Sequence, residues 1–124
     1  MGKIADSELE IMRVLWRAGR ALTFGEIRNC LAGRVGWSRS TVQTLLGRLR
    51  DKGFVTAHSS YASLYSPNIS EDEHLQSEGH NFIEKLFDGN AKNLVAGLIR
   101  SGRLDENDID ELKQFFTMEG GGES

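Results

Sequence analysis

The spacing of hydrophobic positions changes twice along the chain. From Glu8 to Arg17, Leu9, Met12 and Trp16 recur at helical spacing with Ile11 and Leu15 beside them, which predicts an amphipathic helix ending at Gly19. Thr23 and Glu26 have the spacing of a capping box, in which each side chain satisfies a backbone N–H at a helix start. Phe24, Ile27 and Leu31 then share one face of a short second helix that ends near Gly33. Ser38 is a good N-cap for a third helix, on which Val42, Leu45, Leu46 and Leu49 keep the i, i+3, i+4, i+7 order until Gly53. There the period shortens. Phe54-Val55-Thr56-Ala57 and Ser63-Leu64-Tyr65-Ser66 are β-prone runs separated by small polar residues, and Pro67 closes the second, so a β-hairpin is expected. Three helices followed by a hairpin is the order of a winged helix-turn-helix.

Helical spacing returns at Ser70, which with Glu73 forms another capping box. The helix it opens becomes amphipathic at Phe82, Ile83, Leu86 and Phe87 and breaks at Asp88-Gly89. Leu94, Val95, Leu98 and Ile99 predict a fifth helix ending at Ser101-Gly102. Asp105 caps a sixth that carries Ile109, Leu112, Phe115 and Phe116. Three short helices cannot bury this many large side chains among themselves, so a second copy of the segment is the natural partner. The fold class expected is mainly α: a winged helix-turn-helix over 1–69, a helical dimerisation region over 70–119 and a flexible tail over 120–124. The dimerisation surface would comprise Phe82, Leu86, Leu94, Val95, Leu98, Ile109, Leu112, Phe115 and Phe116.

Composition narrows the function classes. With 124 residues, 39% hydrophobic and 27% charged, the chain is ordinary globular material for one domain and an appendage. No window approaches the roughly 20 apolar residues of a membrane span. The N-terminus runs directly into an amphipathic pattern without a signal region, so a cytoplasmic protein is expected. One cysteine, Cys30, makes no internal disulfide and reads as a small, semi-buried core residue. The net charge of −3 conceals a division. Residues 1–70 hold ten Lys or Arg against five Asp or Glu, a balance of +5, whereas residues 71–124 hold five against thirteen, a balance of −8. A basic half joined to an acidic one points to a nucleic-acid-binding half.

The third helix suits that role. Opposite its buried stripe lie Ser40, Thr44, Gly47 and Asp51; Thr41 and Arg48 flank them on one side, and Arg39, Gln43 and Arg50 on the other. Hydroxyl and amide groups can read base edges in a major groove while arginines neutralise phosphates. Asp51 would have to point away from DNA. Trp37, just before the cap, has two readings: a hydrophobic staple, or an indole N–H given to a phosphate. The DNA-binding set is therefore Trp37, Ser38, Arg39, Ser40, Thr41, Gln43, Thr44 and Arg48, and the partner a double-stranded operator.

These residues carry a resemblance as well. Ser7-Glu8-Leu9-Glu10-Ile11-Met12-Arg13-Val14-Leu15-Trp16, Trp37-Ser38, Thr41-Val42-Gln43-Thr44-Leu45-Leu46, Arg48-Leu49, Lys52-Gly53 and Tyr65-Ser66-Pro67-Asn68-Ile69 stand in the order found in the penicillinase-repressor (BlaI/MecI) family of bacterial winged-helix repressors, which the chain resembles nearly end to end. The resemblance implies a homodimer on a palindromic operator, with the third helix in the major groove and the C-terminal helices intertwined between subunits. It implies that Trp37, Ser38, Ser40, Thr41, Thr44 and Arg48 approach DNA, with base reading by Ser40, Thr41 and Thr44. The chain has Arg39 and Ser40 where relatives carry Pro and Lys. Its hairpin tip, Ser59-Ser60-Tyr61-Ala62-Ser63, lacks the basic residues frequent in such wings and leaves Tyr61 as a single donor. A sensor-linked protease is a further implied partner, inactivating relatives at an Asn-Phe bond in the dimerisation helices. Gly97-Leu98 stands near the aligned position, so proteolytic control stays open. Copper-responsive relatives carry C-terminal Cys-x-Cys pairs, which are absent here.

Two other classes compete. A metal-sensing repressor would draw on His74, Glu78, His80 and Glu84, although the two histidines face different sides of a helix and read more simply as surface residues beside acids. A winged helix that binds protein and never touches nucleic acid would account for the acidic total and the unbasic wing. No phosphate-binding glycine loop and no nucleophile-base arrangement suggests an enzyme, and no cofactor is implied.

Overall fold

The computed structural model describes residues 2–58 and 63–118. The hairpin tip at 59–62, with Tyr61, and the tail at 120–124 lie outside the described residues. Helix α1 (Asp6–Ala18) is followed by strand β1 (Leu22–Thr23), helix α2 (Phe24–Leu31), helix α3 (Arg39–Asp51) and strands β2 (Val55–His58) and β3 (Leu64–Pro67). Helices α4 (Glu71–Phe87), α5 (Ala91–Arg100) and α6 (Glu106–Met118) complete the chain.

Local chemistry sets the boundaries. Gly19 takes a left-handed conformation and its N–H reaches Leu15 O, closing α1. The Thr23–Glu26 capping box forms in both directions, at 3.1 and 2.9 Å. Ser38 Oγ accepts from the Thr41 amide at the start of α3, and Gly53, at φ 86°, turns the chain out of it. Ser70 with Glu73 and Asp105 with Asp108 make the same reciprocal pairs at α4 and α6. Asp88 and Gly89 both have positive φ, which ends α4.

The strands form an antiparallel sheet in the order β1-β3-β2, with Leu22 opposite Tyr65 and Val55 opposite Pro67. Strand β1 is an addition to the elements expected, because two residues carry no period of their own and only their partner defines them. The core packs Ile11, Met12 and Leu15 of α1 against Ile27 and Leu31 of α2, Val42, Leu45, Leu46 and Leu49 of α3, and Leu22, Phe54 and Val55. Glu8 is buried among these groups at 1% exposure. It accepts from the Ala5 amide at 2.9 Å and from Lys52 Nζ at 2.7 Å, and the same ammonium donates to Lys3 O. Burial pushes the Glu8 carboxyl upward. The Lys52 hydrogen bond, the Ala5 amide and the charges of Lys52 and Arg48 outweigh it, holding the group below the usual carboxylate range. This pair ties the start of α1 to the end of α3.

Two expectations are corrected. Cys30 is exposed, since Ile27 and Leu31 occupy the buried stripe of an eight-residue helix and leave it on the flank. His74 is buried rather than superficial: its ring lies 5.6 Å from that of Trp16, whose indole donates to Ile69 O at 2.9 Å.

The chain divides into two compact units, 1–75 and 76–124, with the boundary inside α4. In the second unit neither α5 nor α6 holds a buried residue. Phe82, Leu86, Val95, Ile99, Leu112, Phe115 and Phe116 are exposed, and Leu94, Leu98 and Ile109 are half-buried. No described helix is long and apolar enough to cross a membrane.

Candidate nucleic-acid interface

Helix α3 presents two surfaces beside its buried stripe. Ser40, Thr41, Thr44 and Arg48 line a shallow hollow on one side. At its N-terminal end Ser38 Oγ lies 3.1 Å from both Ser40 Oγ and Thr41 Oγ1, so three hydroxyls are clustered where the helix dipole is positive. Arg48 and Thr44 are exposed with no ion pair or side-chain hydrogen bond among the described residues.

The other side is a cleft of about 570 Å³ lined by Arg39, Gln43, Gly47 and Arg50 of α3, with Phe24 and Gly25 of α2 and Ser63 and Tyr65 at the base of the hairpin. Arg39 is held by stacking: its guanidinium carbon lies 4.9 Å above the centre of the Phe24 ring. Gly47 belongs with this side, so the flank expected for Arg39, Gln43 and Arg50 is a concave surface shared with α2 and β3. Sequence reading assigned those residues to a flank but missed Phe24 and Tyr65 as its walls, because only the packing of α2 and the sheet brings them there.

Trp37 is half-buried against the core and shares a hollow with Val42, four residues beyond Ser38, as a hydrophobic staple does. Beyond the cleft, Arg20 donates to Glu26 at 2.8 Å, and the Arg20 guanidinium with the Thr23 amide holds the Glu26 carboxyl at about 2, against an ordinary 4.5. Among the described residues no group of three or more His, Cys, Asp or Glu side chains could hold a metal ion.

Three helices and a three-stranded sheet whose β2-β3 hairpin forms the wing define a winged helix-turn-helix. Residues 4–118 match the family model described as penicillinase repressor, and the chain belongs to that family. It is similar to the penicillinase repressor of Bacillus licheniformis, 31% identical over 115 residues that cover 92% of this chain and 89% of that one. It is also similar to the methicillin resistance regulatory protein MecI of Staphylococcus aureus (strain N315), at 27% identity over 92% of this chain and 93% of that one. Among solved structures, the monomeric form of Bacillus licheniformis BlaI in complex with the blaP half-operator superposes with a TM-score of 0.51 at 36% identity, covering 58% of this chain and 88% of that one. The DNA-binding domain of the repressor BlaI gives the same score and identity over 59% of this chain and 93% of that one.

Proposed function

We propose that this chain is a transcriptional repressor that binds a palindromic operator as a homodimer, α3 entering the major groove of each half-site. The observation that carries the reading is the surface of α3: clustered hydroxyls at its N-terminus, exposed Thr44 and Gln43 along its length, and Arg39, Arg48 and Arg50 on its edges. Short polar groups suit base edges, and guanidinium groups suit phosphates. The likeness to BlaI in complex with a half-operator supports binding to operator DNA. Ser40, Thr41 and Thr44 are the residues assigned to base reading, Ser38 to capping the helix that presents them, and Trp37 to stapling its start.

The apolar residues left exposed on α4, α5 and α6 support pairing through residues 70–119, which would set two recognition helices roughly 34 Å apart, one turn of DNA. A sensor-linked protease remains part of the reading through the family resemblance. Gly97-Leu98 stands near the aligned cleavage position, and the Asn-Phe pair this chain does contain, Asn81-Phe82, lies in α4.

The test is binding to DNA from the chain's own promoter and neighbouring genes, with salt varied and Arg48→Ala alongside. Sequence-selective binding whose salt slope falls by about 0.9 in the variant supports the repressor. Absence of selective binding at low salt overturns it in favour of a winged helix that binds protein.

A further inference from the structure

Only Asn68, Ile69 and Ser70 stand between β3 and α4, and the first unit runs on past them to residue 75, so it includes the first turn of α4. A connection out of a folded unit is commonly a free linker. This one is held at each step. Asn68 makes three hydrogen bonds: its backbone N–H donates to Phe54 O at 2.8 Å, its Nδ2 donates to Gly53 O at 2.9 Å, and its Oδ1 accepts from Thr56 Oγ1 at 2.7 Å. Gly53 and Phe54 form the turn by which the chain leaves α3, so Asn68 ties the exit of α3 to the entry of α4.

Trp16 makes the second fastening. It is packed against the core, its indole donates to Ile69 O at 2.9 Å, and the His74 ring lies 5.6 Å from its own. One side chain of α1 thus holds the chain just before α4 and one turn into it. His74 is 9% exposed, whereas its neighbour Leu75 is 61% exposed. Leu75, Phe82 and Leu86 have i, i+7, i+11 spacing and share one exposed stripe of α4. The stripe offered for pairing therefore begins one residue after the last fastening, with no slack chain between them.

A dimer gains affinity from its second half-site only as far as its geometry brings the second α3 to it, and slack in the joint spreads that gain over many spacings. Each base pair inserted between half-sites moves one of them by about 3.4 Å and turns it by about 34°. We propose that residues 68–74 form a rigid mount between α3 and α4 that fixes which half-site spacing the dimer accepts, with Asn68 and His74 as its specificity-determining positioning residues. This rests on the repressor reading and deepens it: α3 reads each half-site, and the mount reads the distance between them.

The experiment uses the full chain, the operator footprinted in its own promoter fragment, the same operator with two base pairs inserted between its half-sites, and a single half-site. The wild type is expected to prefer the native spacing by about 100-fold. Asn68→Ala and His74→Ala are each expected to cut that preference to about tenfold or less while half-site affinity and sedimentation stay as in the wild type. His74→Phe, which keeps an aromatic ring against Trp16, is expected to restore it. Because the preference compares two duplexes on one protein sample, a partly unfolded variant does not mimic its loss. A preference left unchanged in Asn68→Ala and His74→Ala overturns the mount and leaves the repressor reading in place, as does a wild type that binds both spacings equally. If the wild type binds neither its promoter fragment nor the half-site at low salt, the repressor reading falls and the mount with it.

Discussion

The two units of this chain solve the burial problem in opposite ways. Residues 1–75 enclose most of their large apolar side chains, with Leu75 at the boundary exposed: Ile11, Met12, Ile27 and Leu49 are fully buried, and even a carboxylate, Glu8, is taken inside. In residues 76–124 the amphipathic stripes are just as regular, yet α5 and α6 hold no fully buried residue, and Phe115 and Phe116 stand at 64% and 62% exposure. A regular apolar stripe thus marks a surface to be covered without saying whether the cover lies in the same chain. Helices α1 to α3 cross over one another and over a sheet, whereas two helices of 10 and 13 residues have too little surface to enclose their own Leu and Phe residues.

The comparison can be broken most sharply in the core. Leu49→Ala, at 0% exposure, is expected to cost about 2–5 kcal/mol, a large share of the 5–15 kcal/mol typical of a whole domain, and to abolish cooperative unfolding of the first unit in denaturant melts. Phe115→Glu with Phe116→Glu should do the converse. On the proposed pairing, sedimentation should shift from dimer to monomer while the helices and sheet of the first unit keep their protection against hydrogen exchange. A dimer that survives both changes would place the pairing surface elsewhere.

Smaller effects sharpen the account of the first unit. Lys52→Met leaves the Glu8 carboxylate buried without its ammonium, and a loss of about 3 kcal/mol is expected in equilibrium denaturation, at the low end for such pairs because Lys52 keeps 29% exposure. Adding Glu8→Gln should recover part of it. Thr23→Ala removes the acceptor for the Glu26 amide at the start of α2 and should cost about 1 kcal/mol.

The smallest effect is a pH dependence. Glu26 has its folded-state pKa lowered to about 2 from an ordinary 4.5, so the folded state favours its ionised form. Its contribution is complete above 4.5 and disappears as pH falls toward 2. Stability measured across that window should decline less in Glu26→Gln than in the wild type, and equal slopes would show that the exposed Arg20 contact is screened away.

How much of this was legible beforehand follows the sequence distance over which each contact acts. Thr23 with Glu26, Ser38 with Thr41, Ser70 with Glu73 and Asp105 with Asp108 are three residues apart, so the helix starts could be read directly. The stripe Val42, Leu45, Leu46, Leu49 gave the buried side of α3, and with it the exposed side that carries Ser40, Thr41, Thr44 and Arg48. The Glu8–Lys52 pair joins residues 44 positions apart, and the Trp16 indole reaches Ile69 over 53, so no window contained either contact. The burial of His74 has the same origin, since Trp16 lies on another element, whereas the exposure of Cys30 is local: Ile27 and Leu31 take the buried stripe of a short helix and leave it on the flank.

What the sequence determined by itself is therefore the helices, their caps, the hairpin and the polar face of α3, because periodicity and capping act within a few residues. Tertiary structure alone decided that Leu22–Thr23 become a strand against Tyr65, that Arg39 rests on Phe24, and that the Arg39–Gln43–Arg50 flank of α3 becomes a cleft walled by α2 and the base of the hairpin. Those features depend on which surfaces meet when distant elements pack, and that is settled by the burial of the whole core.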